Sequence, residues 1–167
     1  PIEWYGETKA LAEEAVMSSD IPWTVLRIDM PFRSDAFAKI DFAHRVIKGI
    51  VDGKLYPQFT NHYVGPTFID DFVKVIDFVI RTKTTGLFHA SSGEQWSDYD
   101  FAVAVNELHQ LGFEVKQGDL EAYLAPLERP YQRNTALDAG KLKALLDFQP
   151  KTVREAIAAV QKPWFVE

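Results

Sequence analysis

Tyr5 and Lys9 stand four residues apart in the run Tyr5-Gly6-Glu7-Thr8-Lys9. On a helix that spacing puts both side chains on one face, one turn apart. A free phenol titrates near a pKa of about 10 and is a poor acid or base at neutrality. An ammonium held beside a phenol favours the phenolate and lowers its pKa. Such a pair suits proton transfer to or from a carbonyl or hydroxyl group. A helix start with a surface Lys shows the same spacing, so the assignment depends on what the rest of the chain builds around it.

Two other stretches carry groups that could bind a ligand. Residues 29–35 (DMPFRSD) follow an apolar run that reads as a strand. In open α/β sheets ligands gather outside the carboxyl ends of strands. Residues 127–137 hold Arg129, Tyr131, Arg133 and Asn134, a set suited to a phosphate or a sugar. Either stretch reads equally well as a polar connector. Asp70 and Asp71 stand where a helix begins, which makes capping a better explanation than metal or acid/base chemistry. The four His, at 44, 62, 89 and 109, are scattered without a metal-ligand spacing and read as structural or solvated. The absence of Cys excludes disulfides, thiolate nucleophiles and Cys metal sites. No metal site is expected. No GxGxxG, Walker or GxSxG pattern occurs.

The elements that must position these groups follow from periodicity and punctuation. Helices are predicted over 5–18, 36–51, 70–82, 97–111, 119–124 and 138–146, and from 152 to just before Pro163. Strands are predicted over 23–28, 54–59, 87–90 and 113–116. Residues 60–68 read as irregular. The helix over 70–82 is apolar on several sides and should be mostly buried. Thr152 with Glu155 forms a capping box, and Ser97 with Asp100 an approximate one. At 167 residues, 47% hydrophobic and 25% charged, the chain reads as one soluble globular unit. A net charge of −6 with no basic run argues against nucleic acid or an anionic membrane surface as partner. A reducing cytoplasm is the expected location. The chain starts at Pro1, and its chemical motif comes within ten residues. It reads as a single fragment, residues 1–167, of a longer protein.

In this order the motifs resemble the C-terminal half of an extended short-chain dehydrogenase/reductase, in the dTDP-4-dehydrorhamnose reductase branch. Tyr5-Gly6-Glu7-Thr8-Lys9 resembles the YGxxK helix, and Thr24-Val25-Leu26-Arg27 the strand after it. Val64-Gly65-Pro66-Thr67-Phe68-Ile69-Asp70-Asp71 is similar to the branch's G-x-PT-x-x-DD segment, and Leu87-Phe88-His89-Ala90-Ser91 to its next strand. Arg129-Pro130 with Ala136-Leu137-Asp138 and Lys141-Leu142 resembles its RP…LD..KL pattern. The chain departs from that branch at Met30, where an aromatic is usual, at Asn61-His62, where Asp-Gln is usual, and in lacking a YGP turn after the LR strand.

The resemblance implies an α/β fold: the C-terminal part of a Rossmann-like parallel sheet plus a small mixed α/β substrate-binding subdomain. It implies an NAD(P)H-dependent sugar-nucleotide reductase in which Tyr5 protonates the carbonyl oxygen. Lys9 binds the nicotinamide ribose and favours the phenolate. Met30 and Pro31 sit against the cofactor, Phe32 against the sugar, and Arg129 near the nucleotide end. NAD or NADP would be the cofactor, and a nucleotide-sugar or related small carbonyl compound the substrate; a homo-oligomer is compatible. Two alternatives stay open: an NAD-dependent nucleotide-sugar epimerase or dehydratase, and a non-catalytic, reductase-like regulatory subunit such as the beta subunit of methionine adenosyltransferase. The glycine-rich dinucleotide unit is not in this sequence. The 167-residue chain alone should therefore be inactive and bind NAD(P)H more weakly than micromolar, which titration calorimetry on the isolated chain checks.

Overall fold

The computed structural model describes residues 1–35, 39–127 and 130–161. Helix α1 (Trp4–Met17) lies where the sequence places it, and β1 (Thr24–Arg27) follows. Strand β2 (Asp29–Phe32) comes directly after, so half of the stretch expected to be a loop is extended. Helix α2 (Phe42–Val51) begins later than its apolar stripe suggests, because Asp41 caps it by accepting from the His44 backbone N–H. Next come β3 (Gln58–Phe59), β4 (Tyr63–Val64), β5 (Pro66–Phe68), α3 (Ile69–Thr82) and β6 (Gly86–His89). The chain continues through β7 (Trp96–Ser97), α4 (Asp98–Leu108), β8 (Gln117–Gly118), α5 (Leu120–Leu124), α6 (Gly140–Lys143) and α7 (Val153–Ala158). Among the described residues no helix is long and apolar enough to cross a membrane.

The architecture is α/β, with strands joined in pairs. β1 runs parallel to β6, β2 to β5 and β3 to β8, while β4 and β7 are antiparallel. Parallel neighbours need long crossovers, and α2 lies within the one from β2 to β5. The main core lies between α2, α4 and α7. Phe32, Ile47, Phe101 and Ile157 are buried there. Phe101 meets Phe32 edge-on with ring centroids 5.7 Å apart and lies 4.4 Å from Phe42. A smaller cluster of Val75, Phe88, Ala90 and Leu142 joins α3, β6 and α6.

Several expectations are corrected. Neither Asp70 nor Asp71 caps α3; its N-cap is Phe68, without a side-chain cap. Asp70 instead accepts from the Ser34 backbone N–H and hydroxyl. Asp71 accepts from the Lys151 backbone N–H at 2.7 Å, fastening α3 to the segment before α7. Burial pushes the Asp71 carboxyl up, but the hydrogen bonds from Lys74 and Lys151 outweigh it and hold the group below its ordinary value. α3 is not mostly buried: Val73 and Ile80 are 58% and 71% exposed. Only one side of the helix meets the rest of the described chain. Residues 113–116 form no strand; pairing begins one residue later, at Gln117, where Gly118 passes so close to Pro57 that a Cβ would lie 3.0 Å from its carbonyl oxygen. The expected helix over 138–146 is a single turn with Ala139 as N-cap, and Asp138 accepts from the Gly140 N–H at 2.8 Å. α4 stops at Leu108, before a left-handed Gln110 (φ 53°).

The Thr152–Glu155 capping box is formed in full. Thr152→Ala should cost about 1 kcal/mol, and Phe101→Ala, at the centre of the core, about 3–5 kcal/mol. Urea unfolding followed by circular dichroism measures both.

Candidate active site

Tyr5 and Lys9 stand together on α1, with the Lys9 Nζ 5.4 Å from the Tyr5 ring centroid. Both are exposed, and Tyr5 keeps 65% of its surface. No residue of α1 is buried. A two-pronged ion pair helps to seat the helix. Glu13 takes hydrogen bonds from Arg27 Nε at 2.8 Å and Nη2 at 2.6 Å, joining α1 to the end of β1. The hydrogen bond from Arg27 holds the Glu13 carboxyl below its usual value, and the same bond raises Arg27.

The other expected site residues lie around the start of β2. Met30 has φ 38°, in the region that favours glycine, at a register shift between β2 and β5. This kink turns Met30 toward two depressions. The shallower is lined by Met30, Pro31, Ile40, Phe42 and Arg45. Phe32 lies at its inner edge but is 1% exposed and packs against Phe68 and Phe101, so the structure places it in the core. Tyr5 and Lys9 line neither depression.

The deeper cleft has a volume of about 390 Å³, within the range of small-molecule sites. Met30, Arg45, Lys54, Tyr56, Gln58, His62, Asp98 and Tyr131 are among its lining residues. Most of its wall comes from α2 and residues 54–59, and His62 and Asp98 enter it from the ends of β4 and β7. Tyr63 pairs with Ser97 and Val64 with Trp96, so the register brings His62 opposite Asp98. Its rim comes from the segment after Pro130, which runs beside β4: Tyr63 N–H donates to the Arg133 carbonyl, and Thr135 N–H to the Tyr63 carbonyl, both at 2.9 Å. Of the residues expected in that segment, Tyr131 reaches the cleft. Arg133 is held by Glu121 at 2.6 and 2.9 Å, and Asn134 donates to Gln95 at 3.2 Å; both serve the scaffold. Arg129 lies outside the described residues. The sequence reading makes His62 structural or solvated and misses its pairing with Asp98. They are 36 positions apart, and the strand pairing that joins them leaves no local pattern.

The sequence matches the RmlD substrate binding domain over residues 1–164. The chain belongs to this family. Among curated relatives, methionine adenosyltransferase 2 subunit beta of Bos taurus is 25% identical over 158 residues, covering 87% of this chain and 45% of that protein. A dTDP-4-dehydrorhamnose reductase structure from Clostridium acetobutylicum superposes with a TM-score of 0.82 at 21% identity, covering 95% of this chain and 54% of that one. The Bacillus anthracis dTDP-4-dehydrorhamnose reductase, solved with NADP, gives a TM-score of 0.81 at 17% identity, with 94% and 54% coverage. The chain spans about half the length of these proteins. The Rossmann-like α/β fold and the reductase-branch resemblance read from the sequence both hold.

In this RmlD-family chain Asp29 is the group that fixes the Met30 kink. Its Oδ2 accepts from the Gly65 N–H at 2.8 Å and from the Thr135 hydroxyl at 2.6 Å. Burial pushes its carboxyl above the ordinary value, although the hydrogen bonds from Thr135, Gly65 and Met30 and the nearby His62 oppose the shift. A carboxyl raised on folding binds its proton more tightly in the native state. Its stabilising contribution is therefore complete below the unfolded pKa of about 3.9 and is lost as pH rises through the higher folded value. Asp29→Asn keeps an oxygen for the Gly65 and Thr135 donors and removes the half-buried charge. It should be at least as stable as the native chain at neutral pH, with the difference shrinking on acidification. Asp29→Ala strands these donors and should cost about 1–3 kcal/mol. Urea titrations at neutral and acid pH measure these differences.

Proposed function

We propose that the full-length protein is an NAD(P)H-dependent reductase of a nucleotide-linked keto sugar, with proton delivery by Tyr5. The observation that carries this reading is the exposed Tyr5–Lys9 pair, with the ammonium 5.4 Å from the phenol ring centroid. Both side chains are open to a cofactor ribose and a substrate carbonyl. A nicotinamide dinucleotide, when bound, supplies hydride. Tyr5 donates its hydroxyl proton to the carbonyl oxygen as that oxygen gains charge. The Lys9 ammonium stabilises the resulting phenolate and offers donors to ribose hydroxyls. Met30 and Pro31 give an apolar wall beside the cofactor, backed from the core by Phe32.

The deeper cleft suits the nucleotide sugar. Tyr56 and Tyr131 offer aromatic faces, and Arg45 and Lys54 offer positive charge toward phosphates. Arg129 is assigned to the nucleotide end on the resemblance alone. The phosphates of the dinucleotide need backbone donors that this chain does not encode as a glycine-rich turn.

A second reading is a non-catalytic subunit, favoured by the likeness to methionine adenosyltransferase 2 subunit beta. One experiment separates the two. The full-length protein is given NADPH or NADH with a dTDP-linked 4-keto sugar, and oxidation of the cofactor is followed by absorbance. Turnover should fall at least about a hundredfold in Tyr5→Phe, the scale of a lost general acid, and substantially in Lys9→Met. Turnover that persists unchanged in Tyr5→Phe refutes the assignment of Tyr5. Absence of turnover in the native protein favours the subunit reading.

A further inference from the structure

We propose that His62, oriented by Asp98, is a specificity-determining residue of the deeper cleft: its Nε2 accepts a hydrogen bond from a hydroxyl of the bound nucleotide sugar. The inference rests on the nucleotide-sugar reading of that cleft and adds the group that reads the ligand's hydroxyl pattern.

Two contacts fix the imidazole. His62 Nδ1 lies 2.7 Å from Asp98 Oδ2, and the Asp98 backbone N–H donates to the His62 carbonyl at 3.3 Å. A carboxylate only accepts, so Nδ1 carries a proton, and in the neutral ring Nε2 then presents a bare lone pair. The Tyr131 ring flanks the imidazole with centroids 5.7 Å apart. Asp29 on β2 faces the same histidine, and Arg45 on α2 lines the same cleft.

The histidines differ in what their far nitrogen meets. His109 Nε2 reaches the Ile157 carbonyl at 3.0 Å. His44 Nε2 is sealed in the protein without a partner. The His62 side chain is nine-tenths buried, yet its Nε2 is not sealed and has no hydrogen-bond partner among the described residues. The remaining access is through the cleft that His62 lines. A buried ring held in one tautomer, with its acceptor open only to a ligand-sized cleft, is arranged to discriminate donors from non-donors. Sites that pair buried polar groups with a ligand's hydroxyls reject ligands that lack them.

The test uses the full-length protein with UDP-glucose and dTDP-glucose as probes in titration calorimetry. His62→Phe should weaken the better-bound probe about tenfold or more, the effect of one lost hydrogen bond in a closed site. In Asp98→Asn an amide that turns its NH2 to Nδ1 moves the ring proton to Nε2 and turns the acceptor into a donor. Affinity should fall comparably, and ¹⁵N NMR of the imidazole should report the exchanged tautomer. If His62→Phe does not fold, Asp98→Asn and the NMR measurement still decide. Unchanged affinity in Asp98→Asn with an exchanged tautomer overturns the proposal, as does a native His62 protonated at Nε2. A native protein that binds neither probe removes the premise and overturns the inference together with the nucleotide-sugar reading. Binding with unaltered affinity in the variants overturns the inference alone.

Discussion

The Asp29 carboxylate is the joint on which the site depends. It stands where one extended line of chain changes partner, from β6 beside β1 to β5 beside β2. One oxygen receives both the Gly65 N–H and the Thr135 hydroxyl. These donors lie 36 and 106 positions away, so a single half-buried carboxyl gathers β2, the turn between β4 and β5, and the segment that rims the cleft. The carbonyl of Asp29 also accepts from the Thr67 hydroxyl at 2.7 Å, which closes the same corner from the other side. Burying that charge works against ionisation, and the hydrogen bonds recover part of the cost. The consequence is the positive φ at Met30, a conformation that an isolated Met would avoid.

Rigidity is distributed unevenly around this joint. The cleft wall on α2 is held by the core beneath it, where Phe101 and Ile157 have no exposed surface. Helix α1 buries nothing, and Trp4, Tyr5 and Leu11 stand in solvent at 73%, 65% and 56% exposure. Its ion pair with β1 is bidentate, but exposed pairs of this kind contribute at most about 1 kcal/mol. The cleft is thus built into the scaffold, whereas Tyr5 and Lys9 ride on an element with little packing of its own.

What the sequence made legible follows the same division. α1, β1, α5 and the capping box of α7 are local: their periodicity, caps and breakers lie within a few residues. The Tyr5–Lys9 pair belongs to this class, because helical geometry alone brings the two together. The misreadings are places where distant groups decided the outcome. Asp70 and Asp71 look like caps by position, yet Ser34 and Lys151 claim them. The apolar breadth of α3 suggested burial, and the described chain covers only one side of it. Asp29 to Phe32 became a strand because Pro66 to Phe68 offered a partner. His62 and Asp98 meet through antiparallel register, which no short motif encodes.

The cleft and the Tyr5–Lys9 pair therefore stand on separate supports, and fold alone does not assign function. The cleft can hold a ligand whether or not a phenol and an ammonium stand on α1, since those two side chains contribute nothing to its lining. Conversely, the pair persists on a helix whose seating does not require the cleft. Substitutions at Tyr5 or Lys9 should thus leave the domain folded, because no residue of α1 is buried. Substitutions around Asp29 have the opposite character. They disturb the corner from which Met30 reaches the cleft, and so act on the scaffold rather than on the exposed helix.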